Sequence, residues 1–144
     1  MKIKNAQEFD KIAEAVKGEE AEFYAYFYAA RLYSKLPDYF TAASNRFKKA
    51  MEAAYSESLF DNALWYLIDL NLKRSTDLGI EMLKRYCSKW HDPEYFDDLF
   101  DTIVPLMLSE GKWNDFCTLY KTVDGYASKE STAKLAYIFG RLLQ

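Results

Sequence analysis

The densest group of side chains capable of acid–base chemistry is a run of carboxylates, Glu94, Asp97, Asp98 and Asp101. Hydrolysis of a glycoside requires two carboxyl groups fixed across a cleft, one of them with a raised pKa. These residues instead fall in the first turns of a predicted helix that begins after Asp92, where negative side chains complement the positive end of the helix dipole. The pattern therefore favours a structural role over catalysis.

The side chains able to ligate a metal or attack a substrate are few, namely His91, Cys87 and Cys117. The usual zinc and iron sites combine several ligands, and a chain with one histidine cannot form the histidine-rich kinds. His91 lies in a predicted connection, which indicates a surface or capping role. The cysteines lie on separate predicted helices, and small packing residues are favoured over a metal pair or nucleophiles. The sequence predicts no metal, no cofactor and no enzymatic activity.

The charge and hydropathy of the chain argue against two classes of partner. The formal net charge is -3 at pH 7, and attraction to phosphate supplies most non-specific affinity for nucleic acid. The longest apolar stretches, at 25–30 and 63–68, end far short of the ~20 residues that a spanning helix needs. We therefore expect neither a nucleic-acid partner nor a membrane span.

Apolar residues recur at helical spacing almost throughout the chain, and the breaks between these stretches are short. The pattern predicts an all-α fold of eight helices, at about 5–17, 19–34, 38–54, 56–72, 76–90, 92–111, 112–123 and, starting at either 128 or 131, to 143. Polar residues suited to capping the first amides of these helices include Asn5, Asp38, either Ser56 or Ser58, and Asp92. Gly18 is suited to the left-handed conformation that ends a helix, and Gly111 ends the sixth.

A recurrent spacing of large and small residues indicates that the helices form repeated hairpins. It reads Phe9-x2-Ile12-Ala13-x2-Val16, Phe40-x2-Ala43-Ser44-x2-Phe47, Trp113-x2-Phe116-Cys117-x2-Tyr120 and, as a poor fit, Gly79-x2-Met82-Leu83-x2-Tyr86. The four starting positions lie about 35 residues apart on average. This resembles the first helix of the tetratricopeptide repeat, whose period is ~34 residues. In the first repeat, Ala25 and Pro37 match the second-helix alanine and the terminal proline of that family.

The tetratricopeptide resemblance implies a right-handed superhelix, an α-solenoid of about four antiparallel helix hairpins. It covers residues 1–144 as a single repeat domain, which we expect to be a piece of a longer chain because solenoid ends normally carry a polar covering element. A non-repetitive helical bundle is the alternative. In the solenoid, small residues let paired helices approach closely while aromatic side chains fill the gap to the next hairpin.

Two further segments, Ala63-Leu64-Trp65-Tyr66-Leu67-Ile68-Asp69 and Ala136-Tyr137-Ile138-Phe139-Gly140-Arg141-Leu142, carry a second resemblance. They are similar to helices in the non-catalytic superhelical region of bacterial soluble lytic transglycosylases, which cleave peptidoglycan glycan strands. This resemblance implies a periplasmic scaffold segment whose catalytic glutamate belongs to a separate lysozyme-like domain. No segment of the chain resembles that domain. Without this relationship, a cytoplasmic location is expected.

The leading functional hypothesis is a protein–protein interaction scaffold without catalytic activity. In the predicted register the first helices line a concave groove that suits an extended peptide or a partner helix. The polar positions expected to face this groove are Asn45, Lys48, Lys84, Thr118 and Lys121. The tetratricopeptide resemblance implies that asparagine and lysine at such positions hold a peptide backbone or carboxylate.

The second predicted helix carries four tyrosines, Tyr24, Tyr26, Tyr28 and Tyr33. One helix can bury only part of its circumference against a single neighbour, so some of these rings must reach solvent or another layer. Exposed tyrosines are enriched at binding surfaces, whereas packing between adjacent hairpins is the simpler alternative. A homodimer formed through these aromatic helix faces stays open on this evidence.

Overall fold

The computed structural model describes residues 2–123, 128–142 and 144, and within them it contains eight α-helices and no β-strand. The helices are α1 (Lys2–Ala15), α2 (Ala21–Tyr33), α3 (Phe40–Ala53), α4 (Glu57–Arg74), α5 (Thr76–Tyr86), α6 (Pro93–Ser109), α7 (Trp113–Val123) and α8 (Lys129–Leu142). Single 3₁₀-helical turns lie at Pro37–Tyr39 and Cys87–Lys89. The prediction of an all-α fold with eight helices is confirmed.

Local polar contacts define several helix ends as the sequence predicts. The Asp92 carboxylate accepts a hydrogen bond of 2.9 Å from the amide of Glu94, and the Ser56 hydroxyl accepts one of 3.2 Å from Leu59. Gly18 has a φ of 86°, in the left-handed region that a residue without a Cβ adopts at low cost. These ends depend on contacts within one turn, which is why the sequence reveals them.

Two predicted caps are wrong. Asn5 lies inside α1, because the helix continues back to Lys2 and brings Ile3 against the core of the first hairpins. Asp38 makes no capping hydrogen bond, since Pro37 opens a 3₁₀-helical turn before α3 begins. In both cases the helical chain begins before the predicted cap, so Asn5 and Asp38 do not occupy the capping position of α1 or α3.

The chain divides into two compact units, Met1–Leu70 and Asn71–Gln144. In the first unit, α2 packs against α1 and α3. Small residues allow this close packing, since the buried positions of these helices include Ala6, Ala13, Ala25, Ala29 and Ala43, none more than 3% exposed. Larger rings fill the remaining space, and the Phe27 ring lies 6.0 Å from that of Phe47 and 5.1 Å from that of Tyr66.

Ile12 departs from the buried position that the repeat spacing predicts for it. Its side chain is 46% exposed, whereas its neighbour Ala13 is fully buried. Ala6 and Ala13 lie two turns apart on the same face of α1 and direct that face toward the core. Ile12 is therefore turned by about 100° to the rim of the hairpin.

The second unit has its own core, in which α5, α6 and α7 contact one another and α8 packs against α7. Its largest fully buried side chains are Leu83, Leu99, Ile103, Met107, Phe116 and Leu119. Pro105 lies inside α6. Trp113, the aromatic anchor of the predicted fourth repeat, is 47% exposed at the start of α7.

A polar network in the second unit joins the start of α5 to the connection between α6 and α7. The Lys112 ammonium lies 2.6 Å from Asp77 and 3.0 Å from Glu110, and the Thr76 hydroxyl donates to Glu110 at 2.9 Å. The hydrogen bonds from Lys112 and then Thr76 lower the pKa of Glu110. The network is held by the ionised form of Glu110.

The lowered pKa of Glu110 predicts a contribution to acid sensitivity. Because the folded-state pKa lies below the unfolded value of ~4.3, this stabilisation is present above that value and is lost as the pH falls through the folded-state pKa. Glu110→Gln should therefore lose less stability than the native chain between pH 5 and pH 3, measured by urea unfolding. Lys112→Met should show the same shallower dependence, and identical slopes in all three proteins would contradict the prediction.

Candidate functional site

A polar cleft opens on the first unit between the last turns of α1, the start of α2 and the last turns of α3. It encloses a volume of about 250 Å³. Its walls combine carboxylates and ammonium groups around one tyrosine, and its lining residues are Glu14, Lys17, Glu22, Tyr26, Lys49, Glu52 and Ala53. Opposite charges facing one another across a cleft suit a ligand that carries both hydrogen-bond donors and acceptors.

Tyr26 connects the cleft to the core beneath it. Its side chain is only 7% exposed, and its hydroxyl donates to Glu14 at 3.3 Å. The Lys49 ammonium lies 5.4 Å from the centre of the Tyr26 ring, within the range of a cation–π interaction. Burial, followed by the charge of Glu14, raises the pKa of Tyr26, so the phenol stays protonated and available as a donor.

A second polar cluster ties α1 to α3 one helical turn from the cleft. Asp10 accepts two hydrogen bonds from the Arg46 guanidinium, at 2.8 and 3.0 Å, and a third from the Tyr33 hydroxyl at 2.8 Å. The guanidinium also lies 5.4 Å from the centre of the Tyr33 ring. The hydrogen bonds to Asp10 raise the pKa of Arg46, and burial and the same carboxylate raise that of Tyr33. This cluster fixes α1 beside α3.

A separate surface of the first unit consists of three exposed tyrosines, Tyr24, Tyr28 and Tyr55, which we call the tyrosine surface. They are 40%, 43% and 47% exposed. The ring of Tyr24 lies 6.5 Å from that of Tyr28 and 6.4 Å from that of Tyr55, and the Tyr55 hydroxyl donates to that of Tyr24 at 3.2 Å. The tyrosines of α2 thus divide into the buried Tyr26 and Tyr33 and the exposed Tyr24 and Tyr28.

The predicted groove residues of the first unit, Asn45 and Lys48, lie one turn apart on α3. Asn45 is exposed, and its amide oxygen accepts a hydrogen bond of 2.7 Å from Arg46. Lys48 is half-buried. The α3 wall of the polar cleft is formed instead by Lys49 and Glu52, together with Ala53. The participation of Asn45 and Lys48 in binding stays a prediction.

The other predicted groove residues lie in the second unit. Lys84 on α5 is 3.8 Å from the Asp115 carboxylate on α7. Thr118 and Lys121 are exposed on α7, and the Thr118 hydroxyl donates to the carbonyl of Asn114. Asp115, Thr118 and Lys121 follow one another at three-residue spacing and share a side of α7. Lys84 therefore lies beside α7, the helix that carries Thr118 and Lys121. The role of these three residues in binding stays a prediction.

Sequence reasoning missed Glu14 and Lys49, which line the polar cleft, and it named Tyr26 only as one of four tyrosines on the second helix. A signal was present, because Asp10 and Glu14 are four residues apart on α1 while Arg46 and Lys49 are three apart on α3. Such spacings place two acids on one helix face and two bases on another. Opposite charges on a face of α1 and a face of α3 indicate that these two faces meet.

A smaller cavity of about 140 Å³ lies between α6 and α8 in the second unit. Most of its wall is apolar, and its lining residues are Phe100, Asp101, Val104, Pro105, Ser131, Lys134, Leu135 and Ile138. Pro105 cannot donate a backbone hydrogen bond to the carbonyl of Asp101 four residues earlier. The cavity therefore borders the interrupted turn of α6.

The residues with metal-binding or nucleophilic chemistry are dispersed. Cys87 is buried, which raises the pKa of its thiol, and Cys117 is half-buried; both are free thiols. His91 is exposed. Within residues 2–123, 128–142 and 144, no three histidine, cysteine or carboxylate side chains converge as metal ligands would. In the same part of the chain, no helix combines the length and apolarity required to cross a bilayer.

No family model, curated protein or solved structure matches the chain. The resemblances to the tetratricopeptide repeat and to the superhelical region of lytic transglycosylases therefore stay predictions. The function has to be argued from the surfaces of the first unit themselves.

Proposed function

We propose that the chain is a non-enzymatic scaffold of tetratricopeptide-like helix hairpins that binds an extended peptide or a partner helix. The observation that carries this proposal is the position of the polar cleft. It lies between α1 and α3, the first helices of two consecutive hairpins, which Asp10 and Arg46 hold together. In helical repeat proteins, the surface formed by successive first helices is the one that receives the partner.

Packing within each unit supports a solenoid of about four hairpins. Ala13 and Ala25, the small positions of the best repeat match, are 0% and 3% exposed. The second unit repeats the contact between successive first helices, since α5 packs against α7 and Lys84 lies 3.8 Å from Asp115. Contact between alternate helices of the chain is expected for stacked hairpins.

The chemistry of the polar cleft suits a peptide backbone. Lys17 and Lys49 can donate hydrogen bonds to carbonyl or terminal carboxylate oxygens, and Glu22 and Glu52 can accept them from amides. Tyr26 also lines the cleft, and its hydroxyl donates to Glu14. A peptide contributes donors and acceptors in alternation, so such a lining can satisfy both.

A displayed library of random peptides, selected against the intact chain, tests the proposal. Selected peptides should lose about tenfold in affinity when Lys49 is changed to Glu, a factor equivalent to ~1.4 kcal/mol of binding free energy. The reason is that the reversed charge faces Glu14 and Glu22 and repels carboxylates. Calorimetric titration of the purified variant with a synthesised peptide provides the measurement.

Lys11→Glu is the matched control, because Lys11 is an exposed lysine of the same unit whose ammonium lies 3.6 Å from Glu8 outside the cleft. It should bind the selected peptides as the native chain does. Lys48→Glu and Lys84→Glu test the sequence-predicted groove positions in the same assay. Failure to enrich any peptide, or equal affinity in the Lys49 and Lys11 variants, would reject the cleft as the binding site.

A further inference from the structure

The tyrosine surface lies on a different side of α2 from the polar cleft. Tyr24 and Tyr28 are one turn apart and face outward together, while Tyr26 between them is rotated by about 200° toward the cleft. Tyr55 joins the pair from the connection between α3 and α4. Tyr24 contacts both other rings, and the three side chains, each 40–47% exposed, form a continuous aromatic face.

A negative charge borders this face at one end. Glu20 directly precedes α2, and its carboxylate forms no ion pair within the described part of the chain. The hydrogen bond to Tyr24, partial desolvation and the charges of Tyr24 and Glu20 raise the pKa of Tyr55 to about 12. The Tyr55 hydroxyl therefore stays neutral at physiological pH, and Glu20 makes the surroundings attractive to a cation.

Three other tyrosines of the first unit, Tyr26, Tyr33 and Tyr66, lie beneath cations of the chain itself. The guanidinium of Arg46 lies over Tyr33, the ammonium of Lys49 over Tyr26, and the guanidinium of Arg31 over Tyr66 at 5.2 Å. Tyr24, Tyr28 and Tyr55 have no such cation among residues 2–123, 128–142 and 144. The outer faces of these three rings can therefore attract a cation from another molecule.

The area of the surface limits the size of its occupant. A fully covered aromatic side chain buries ~150–250 Å², so three rings with 40–47% exposure offer roughly 200–300 Å². A stable protein interface buries about 800 Å² on each partner. The surface is therefore too small for a stable dimer of the chain and fits one or two side chains of a peptide.

We infer that the tyrosine surface binds an arginine side chain of a partner, whose guanidinium stacks on Tyr24 and Tyr55 and pairs with Glu20. Arginine fits better than lysine because its planar, weakly hydrated group stacks on rings and engages a carboxylate with two donors. Arg31 follows Tyr24 by seven residues on α2, about 10 Å along the helix. Its charge directs the incoming cation to the opposite end, beside Glu20.

The inference is tested with a nine-residue peptide of glycine and serine that carries three arginines. The isotopically labelled chain is titrated with this peptide, and binding is read from the shifts of its backbone amide signals. Signals of the segments around Tyr24 and Tyr55 should move. Tyr24→Ala should weaken binding about fivefold, the effect of one exposed cation–π contact, and Glu20→Gln should weaken it as well.

Two kinds of matched control accompany these variants. Tyr137→Ala removes a tyrosine that is 69% exposed on α8, and Glu8→Gln removes a carboxylate of α1; both should bind as the native chain does. Tyr24→Phe keeps the ring and should keep most of the affinity. The dispersion of the amide signals of Tyr24→Phe also verifies that substitution at this position leaves the fold intact. A peptide with citrulline in place of arginine has the same shape without the charge and should bind at least fivefold more weakly.

Several outcomes would overturn the inference. They are equal binding of the citrulline peptide, an equal affinity of a proline-rich peptide, and unchanged binding by Tyr24→Ala. Light scattering that shows dimers of the native chain but not of Tyr24→Ala would assign the surface to a second copy instead. The Lys49→Glu variant distinguishes a failure of this inference from a failure of the proposed function. It alters the polar cleft and should leave binding of the arginine peptide unchanged.

Discussion

Replacing Gly79 by alanine is expected to lower the free energy of unfolding by about 2 kcal/mol, the opposite of the usual effect inside a helix. Alanine normally stabilises a helix relative to glycine by up to ~1 kcal/mol. Here a Cβ on Gly79 would overlap the Leu72 side chain and lie 3.1 Å from the Leu72 Cα. Leu72 is only 7% exposed, so it cannot turn away into solvent, and its backbone cannot yield without moving α4.

Gly140 provides the control for this prediction. It lies within α8, and a Cβ added there would meet nothing within 4 Å. Gly140→Ala should therefore stabilise the chain by ~0.5–1 kcal/mol. Urea unfolding followed by circular dichroism measures both variants. A stabilisation of similar size at Gly79 would show that the close approach to Leu72 does not exist.

Replacing Asp10 by alanine is expected to destabilise the chain by about 2 kcal/mol. The substitution leaves the Arg46 guanidinium and the Tyr33 hydroxyl without the carboxylate that accepts their hydrogen bonds. Breaking a fully buried pair costs ~3–5 kcal/mol. Solvent reaches this one, because the side chains of Asp10 and Arg46 are 23% and 24% exposed, so the smaller figure applies.

A double-mutant cycle separates this interaction from general effects of the substitution. Arg46→Met keeps the aliphatic stem of the side chain, and the cycle of Asp10→Ala with Arg46→Met should give a coupling of at least ~1 kcal/mol. Glu8 and Lys11 form the comparison pair, since their side chains are 57% and 77% exposed and should couple by less than ~0.5 kcal/mol. Equal coupling in the two pairs would show that Asp10 does not hold α1 to α3.

The helices could be predicted from the sequence because the signals for them are local. The apolar period, the carboxylate of Asp92 and the left-handed Gly18 each act within one or two turns. The errors arise where contacts distant in sequence decide the outcome. Ile3 extends α1 past Asn5 because it packs on the core, and Ile12 turns outward because the alanines of α1 face inward.

The candidate site depends on which helix faces meet, and the sequence gives that information only in part. The sequence indicates that some tyrosines of α2 reach solvent, but it does not show which ones. Tyr33 and Tyr26 are buried, with hydroxyls that donate to Asp10 and Glu14 of α1. The polar cleft arises from the pairing of α1 with α3, a relationship between segments about 35 residues apart. Lys49 lines the polar cleft, whereas Lys48, the preceding residue, does not.

The positions of the tryptophans make the two units optically distinct. Trp65 belongs to the first unit, where its ring lies edge-on to Tyr66 at 5.2 Å, whereas Trp90 and Trp113 belong to the second. Changing both tryptophans of the second unit to phenylalanine would leave a fluorophore that reports on the first unit alone. Emission from that variant, compared with the change in total helicity, would reveal whether the two halves of the chain melt together or one after the other.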